Sequence, residues 1–230
     1  MQDKKLLLGF PSAGLVGAFA VSVIVDKTDM KSYQDLDFTQ SSPMYLIERG
    51  KVRGPIRVYK KDNHYAVILN IPLNQSLGQE LADRILEFCD SEGISQIIVP
   101  RGIETVQEGS IPDKPLGLVI GSSKEVSVKD YNLEEFKHGT LFGAEASLVY
   151  KLKNKKISTL FIFTRTGKQL PDTDGITKSI HTISKILNLS LKIDDIAKKL
   201  EEIKIEQEQL IEQQKQALQN QESGSMSIYR

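Results

Sequence analysis

Three short loops carry the side chains of this 230-residue chain whose types and positions best suggest chemistry. Each follows an apolar run that predicts a buried strand: Pro11-Ser12-Ala13-Gly14, Pro100-Arg101-Gly102-Ile103 and Thr164-Arg165-Thr166-Gly167. In an open α/β sheet, the loops at the carboxyl ends of the strands form the crevice that usually binds ligands. The three loops therefore indicate a candidate small-molecule site, with Ser12 and Arg101 as its polar side chains.

The glycines around Ser12 do not have the spacing of a catalytic motif. Ser12 is not at the centre of a G-x-S-x-G sequence, so a nucleophile elbow is not predicted. Gly14-Leu15-Val16-Gly17 opens a helix, but it matches neither G-x-G-x-x-G nor a Walker loop. Free N–H groups at that helix start could bind an anion. The structural alternative is a tight turn formed by Pro11, Gly14 and Gly17, which lets a strand and a helix pack closely.

The remaining candidate ligands and bases form no set. His64, His138 and His181 fall on separate predicted elements without the spacing of metal ligands. Asp172-Thr173-Asp174-Gly175 resembles the start of a calcium loop, but the twelfth position is Ile183 instead of the required Glu. We interpret this run as a turn and N-cap before a helix. We therefore expect no metal, no cofactor and no catalytic set.

Composition narrows the class of protein. The chain is 40% hydrophobic and 26% charged, which is typical of a globular protein. Thirty basic and thirty acidic residues leave no net charge, which argues against nucleic-acid binding driven by counterion release. The single cysteine, Cys89, excludes an intramolecular disulfide and predicts a buried thiol in a reducing compartment. Residues 6–25 are uncharged, but glycines and a proline interrupt them, which favours a cytoplasmic protein without a membrane span or signal peptide.

Apolar periodicity predicts the elements that position the three loops. Strands are predicted at residues 5–10, 32–38, 44–48, 52–59, 64–70, 94–99, 116–120 and 157–163. Helices are predicted from about residue 14 and at residues 77–89, 141–153 and 175–187. Strands that alternate with helices at this spacing predict an α/β fold, a three-layer αβα sandwich with a mostly parallel central sheet.

The last forty residues have a different pattern, so we predict a globular domain at residues 1–190 followed by two appendages. Residues 191–218 predict a long C-terminal helix, a stalk that either packs on the domain or forms a coiled coil with sister subunits. Its candidate oligomerisation positions are Leu200, Ile203, Leu210 and Ala217. Residues 219–230 predict a flexible tail that ends in Ile228-Tyr229-Arg230.

The order of several short motifs resembles that of the proteasome-assembly-chaperone family of the second-subunit type. The motifs are Gly9-Phe10-Pro11-Ser12-Ala13-Gly14-Leu15-Val16-Gly17, Ser42-Pro43, Arg101-Gly102-Ile103, Gly139-Thr140-Leu141-Phe142-Gly143-Ala144-Glu145-Ala146 and Pro171-Asp172. The resemblance implies an αβα domain shaped like the nucleoside phosphorylases and hydrolases, generally without their catalytic residues. It also implies a role in proteasome assembly, and archaeal relatives of this kind form homo-oligomers.

The last three residues resemble the hydrophobic-Tyr-any-residue motif by which proteasome activators and some assembly factors dock. In that motif Ile228 would supply apolar area, Tyr229 a rigid ring with a hydroxyl group, and the carboxylate of Arg230 a partner for a lysine. The resemblance implies that the partners are the α-subunits of the 20S proteasome core and further copies of this chain.

Two other functions stay open from the sequence. The first is an enzyme similar to a nucleoside phosphorylase or hydrolase, with Ser12 or Arg101 at the strand-end crevice and Glu104 and Glu108 nearby. The second is a purely structural oligomer that the stalk assembles.

Overall fold

The computed structural model describes residues 3–36, 46–48, 50–54, 56–69, 75–104, 114–121, 127–153, 155–167, 170–191, 196, 198 and 200–202. The chain divides after Leu191 into two units, which are described separately.

The first unit alternates strands with helices. Its strands are β1 (Lys4–Gly9), β2 (Lys31–Asp35), β3 (Leu46–Glu48), β4 (Lys51–Arg53), β5 (Ile56–Lys61), β6 (His64–Leu69), β7 (Ile94–Ile103), β8 (Leu116–Ile120), β9 (Glu134–Glu135) and β10 (Ser158–Arg165). Its α-helices are α1 (Val16–Lys27), α2 (Gln75–Glu92), α3 (Gly143–Leu152) and α4 (Thr173–Leu187). Short 3₁₀ turns occupy Ala13–Leu15 and Val128–Tyr131.

Eight strands form one mixed sheet in the order β2-β5-β6-β1-β7-β10-β8-β9. The four central strands, β6, β1, β7 and β10, run parallel to one another. Antiparallel pairings flank them, because β5 reverses against β6 and β8 reverses against β10. The predicted α/β fold with a mostly parallel central sheet is therefore confirmed.

Helices cover both faces of the sheet, which explains why its central strands are apolar throughout. α1 and α4 contact each other and the sheet on one face, and α2 and α3 pack together on the other. Leu6 and Leu8 of β1 point into the core on the α2–α3 side. On α4 the buried isoleucines Ile176, Ile180 and Ile183 recur at the spacing of one helical face.

The prediction of a single strand at residues 52–59 is wrong, because the structure divides this segment between two sheets. β4 pairs only with β3, in a separate two-stranded hairpin, whereas β5 joins the main sheet. The break falls at Gly54, whose N–H donates to Asp35 Oδ2 over 3.1 Å. Pro55 follows in the sequence and lacks the N–H that a continuous ladder would require.

The described part of the second unit is helical at Ile196, Lys198 and residues 200–202. Ile196 and Leu200 are buried, and Lys198 is exposed, as the apolar spacing of this segment predicts. The candidate oligomerisation positions Ile203, Leu210 and Ala217 lie outside the described residues. Within the described parts of the chain, no helix is long and apolar enough to cross a membrane.

Candidate functional site

The three loops singled out from the sequence follow β1, β7 and β10, which are neighbours in the sheet. β1 pairs with β7, and β7 pairs with β10, both in parallel. Their carboxyl ends therefore lie at one edge of the sheet, where a ligand crevice is expected. The contacts at this edge decide whether the loops leave room for a ligand.

Ser12 joins two of the loops through its hydroxyl oxygen. Ser12 Oγ accepts hydrogen bonds from the backbone N–H groups of Gly17 and Gly102, each over 3.1 Å. Gly17 lies at the start of α1, so one donor that could have met an anion is bonded within the protein. Ser12 therefore positions the backbone, as the structural interpretation of this turn requires.

The backbones of the same loops approach each other too closely to admit a side chain. A Cβ atom on Gly102 would lie 1.9 Å from the carbonyl oxygen of Ala13. One on Gly17 would lie 2.4 Å from the oxygen of Phe10 and 2.7 Å from that of Pro100. All three distances are far below van der Waals contact, so glycine is required at Gly102 and Gly17.

Asp172 joins the third loop to the start of α4. Its Oδ1 accepts from Gly175 N over 3.0 Å, and its Oδ2 accepts from Gly167 N over 2.5 Å. The backbone N–H of Asp172 donates to Gly14 O over 3.0 Å. The predicted N-cap is therefore confirmed, and the carboxylate that suggested a calcium loop holds two backbone donors.

Arg101 finds a carboxylate that the sequence did not suggest. It forms an ion pair with Glu145, in the first turn of α3, and both side chains are largely buried. Glu104, which the sequence placed near Arg101, is exposed. The sequence could have indicated Glu145 as an acidic residue in the first turn of a predicted helix. Its pairing with Arg101 could not be predicted, because that pairing depends on how α3 packs.

The other candidate groups stay apart. His64 begins β6, His138 lies in a loop, and His181 lies on α4. The described residues contain no cluster of three or more His, Cys, Asp or Glu side chains that could hold a metal ion. Cys89 is buried in α2, where burial raises the pKa of its thiol to about 12. The predicted buried thiol is therefore confirmed.

A second polar cluster, which the sequence did not reveal, lies at the opposite edge of the sheet. Glu92, the last residue of α2, accepts from the hydroxyls of Tyr33 over 2.8 Å and Tyr65 over 2.6 Å. Lys4 Nζ donates to the backbone oxygen of Glu92 over 2.6 Å, and Lys60 Nζ lies 3.8 Å from its carboxylate. The hydrogen bond from Tyr65 is the main cause that lowers the pKa of the Glu92 carboxyl group. This cluster connects α2 to the four strands β1, β2, β5 and β6.

The proposed docking residues Ile228, Tyr229 and Arg230 lie outside the described residues. Of the candidate oligomerisation positions, the structure describes only Leu200, which is 2% exposed. Among the described residues, the loops at the carboxyl edge therefore form the candidate site, and their polar groups are bonded mainly to one another.

Solved structures of other proteins share this fold. PbaA of Pyrococcus furiosus, described as an archaeal homolog of proteasome-assembly chaperone, superposes with a TM-score of 0.77 at 23% identity, over 94% of each chain. PbaB of the same organism, described as an archaeal proteasome activator, gives a TM-score of 0.69 at 18% identity, over 90% of this chain and 93% of its own. An uncharacterized protein of Methanocaldococcus jannaschii is 22% identical over 182 residues, which are 79% of this chain and 74% of that protein. The model of the PAC2 family matches residues 6–211, and the chain therefore belongs to this family.

Proposed function

We propose that this chain is a proteasome-associated assembly chaperone or ATP-independent activator that works as a homo-oligomer in the cytoplasm. Its tails would dock Ile228, Tyr229 and Arg230 into pockets between the α-subunits of the 20S core. The observation that carries the proposal is the combination of a PAC2-family body with a hydrophobic-Tyr-any-residue terminus.

The similarity to PbaA and PbaB supports the proposal, since their descriptions name proteasome assembly and proteasome activation. The carboxyl edge of the sheet supports a role without catalysis. Ser12 Oγ accepts from two backbone donors, and Arg101 is paired with Glu145. A nucleophilic serine instead needs a base within hydrogen-bond reach.

The tail has the physical properties that docking requires. Tyr229 offers a rigid aromatic ring with a polar tip, and the terminal carboxylate can form a charge-assisted hydrogen bond with a lysine. Several tails on one oligomer would raise the effective concentration of each for its pocket. Stalk positions Ile203, Leu210 and Ala217 would help to hold the copies together, whereas Leu200 is already covered within the single chain.

Binding to purified archaeal 20S core particles tests the proposal. We expect the full chain to co-sediment with the core, and the chain without residues 228–230 and the Tyr229→Ala variant to lose binding at least tenfold. Ser225→Ala, which changes the tail but keeps the tripeptide, should bind as the wild type does. Peptidase rates and the yield of assembled particles then separate an activator from an assembly factor. Equal binding by the truncated chain would contradict the docking proposal.

A further inference from the structure

The outward side of α3 differs from that of every other helix in the described part of the first unit. The exposed residues of α1, α2 and α4 are all polar or charged, as water-facing helix positions normally are. On α3 the exposed residues are Gly143 and Tyr150, and Phe142 stands exposed immediately before the helix. Phe142 is 72% exposed and Tyr150 is 73% exposed, which makes them two of the most exposed large apolar side chains among the described residues.

The exposed residues and the half-buried Ala146 and Ser147 between them form one surface. We call it the α3 face, and it consists of Phe142, Gly143, Ala146, Ser147 and Tyr150. Ala146 and Tyr150 are four residues apart, so their side chains line one side of the helix. Phe142 lies directly before the helix with an extended backbone. The opposite side carries Ala144, Glu145, Leu148 and Leu152, which are buried. An uncharged surface of two aromatics with small residues between them is typical of a protein contact.

The spacing of the α3 face makes it complementary to itself. Phe142 and Tyr150 lie four residues before and four residues after Ala146. If two copies of α3 pack antiparallel around a two-fold axis at Ala146, the helix start that carries Phe142 lies beside the partner's Tyr150. The small side chains of Gly143, Ala146 and Ser147 then let the two helices approach closely. Interfaces with two-fold symmetry pair the same patch from both subunits in this way.

The charges around the α3 face agree with self-pairing. Lys151 and Lys155 at its border are neutralised by Asp83 and Asp90 of α2, at 2.6 Å each. Lys153 is left beside the ring of Tyr150, with Nζ 5.6 Å from the ring centroid. The centre of the surface therefore carries no charge that a second copy would repel. A fully covered Phe or Tyr buries about 150–250 Å², so these aromatics would supply a large share of the roughly 800 Å² that each partner buries in a standard interface.

We infer that the α3 face is a subunit contact, and that its occupant is the α3 face of a second copy of this chain, related by a two-fold axis near Ala146. The inference rests on the homo-oligomer of the proposed function and is independent of tail docking. The α3 face would be a second subunit contact, in the globular domain, besides the contact proposed for the stalk.

The oligomeric state of the full chain tests the inference by light scattering, without proteasome present. We expect Ala146→Glu and Tyr150→Glu to lower the mass of the particle by at least a factor of two while the helical circular dichroism is unchanged. Ile47→Glu is the matched control, because Ile47 is 79% exposed on the separate hairpin and should tolerate the same charge. A monomeric wild type overturns both the homo-oligomer and the α3 contact. An oligomer that survives both α3 variants overturns the α3 contact alone.

Cross-linking provides a second test that does not depend on destabilising the contact. Cys89, the single native cysteine, is buried and its pKa is raised, so it should not react. Ala146→Cys should give a covalent dimer with a short bis-maleimide, because the two-fold axis places the two thiols side by side. Ile47→Cys should give none. Cross-linking of the hairpin variant in place of the α3 variant would overturn the inference and move the contact to the hairpin.

Discussion

Each edge of the sheet is held together around one carboxylate, but the two carboxylates receive different kinds of donor. Asp172 at the carboxyl edge is buried and accepts from the backbone N–H groups of Gly167 and Gly175. Glu92 lies at the opposite edge, which we call the amino edge, and accepts from the hydroxyls of Tyr33 and Tyr65. One edge is therefore fixed through the main chain, and the other through long side chains.

The difference predicts how each edge responds to change. The N–H of Gly175 is buried and stays unsatisfied if it loses its acceptor, because the main chain around it cannot move away, whereas Gly167 is exposed. At the other edge, Tyr33 is 44% exposed and its hydroxyl can turn to water, so only the buried Tyr65 would lose its partner. The Glu92 side chain is itself 18% exposed. Substitutions at the carboxyl edge should therefore cost more stability than comparable substitutions at the amino edge.

Gly102→Ala should have the largest effect, because the new methyl group would meet the backbone oxygen of Ala13. We expect a loss of about 3 kcal/mol in the free energy of unfolding, at the upper end for overpacking. Gly93→Ala is the matched control. A Cβ there has nothing within 4 Å, and only the φ of +68° opposes it, at about 1–2 kcal/mol. Urea denaturation measures both, and an equal loss in the two variants would remove the case for a closed carboxyl edge.

Asp172→Ala should have the next effect, because it leaves the N–H groups of Gly167 and Gly175 without their acceptor. We expect a loss of about 2 kcal/mol in the free energy of unfolding. Asp174→Ala removes an exposed carboxylate from the same helical turn, whose ion pair with Lys178 lies at 2.7 Å, and should cost about 0.5 kcal/mol. Thermal and urea unfolding should separate the two variants. A larger loss in the free energy of unfolding for Asp174→Ala than for Asp172→Ala would show that the Asp172 carboxylate does not stabilise the carboxyl edge.

The sequence predicted those features that depend on residues close together in the chain. The carboxylate of Asp172 and the glycine three residues later indicate an N-cap, because the side chain bonds its own following backbone. The convergence of the three loops follows from parallel strands that carry apolar residues on both faces. The division of residues 52–59 was missed because both halves have strand composition and only the glycine–proline pair separates them.

Long-range pairs could not be predicted in the same way. Glu145 reaches Arg101 only because α3 packs beside α2 with that side turned inward. Glu92 meets Tyr33, which is 59 residues away, because β2 joins the sheet at its edge. No periodicity in the sequence encodes either contact.

Glu92→Gln should have the smallest effect, and its dependence on pH distinguishes the amino edge from the carboxyl edge. The amide still accepts one hydroxyl, so we expect a loss of about 1 kcal/mol at pH 7, the difference between a charged and a neutral hydrogen bond. The hydrogen bond from Tyr65 lowers the folded-state pKa of Glu92. A lowered carboxyl pKa stabilises the protein above the unfolded-state value of about 4.3, and this stabilisation is lost as the pH falls through the folded-state pKa. Urea denaturation should therefore show the free energies of unfolding of the wild type and Glu92→Gln converging between pH 5 and pH 3.

Glu87→Gln is the control, since this residue lies on the same helix with a side chain 64% exposed, and it should differ little from the wild type at either pH. A Glu92→Gln loss that stays constant down to pH 3 would mean that the tyrosines do not bind the ionised carboxylate, and the contrast between the two edges would fail there.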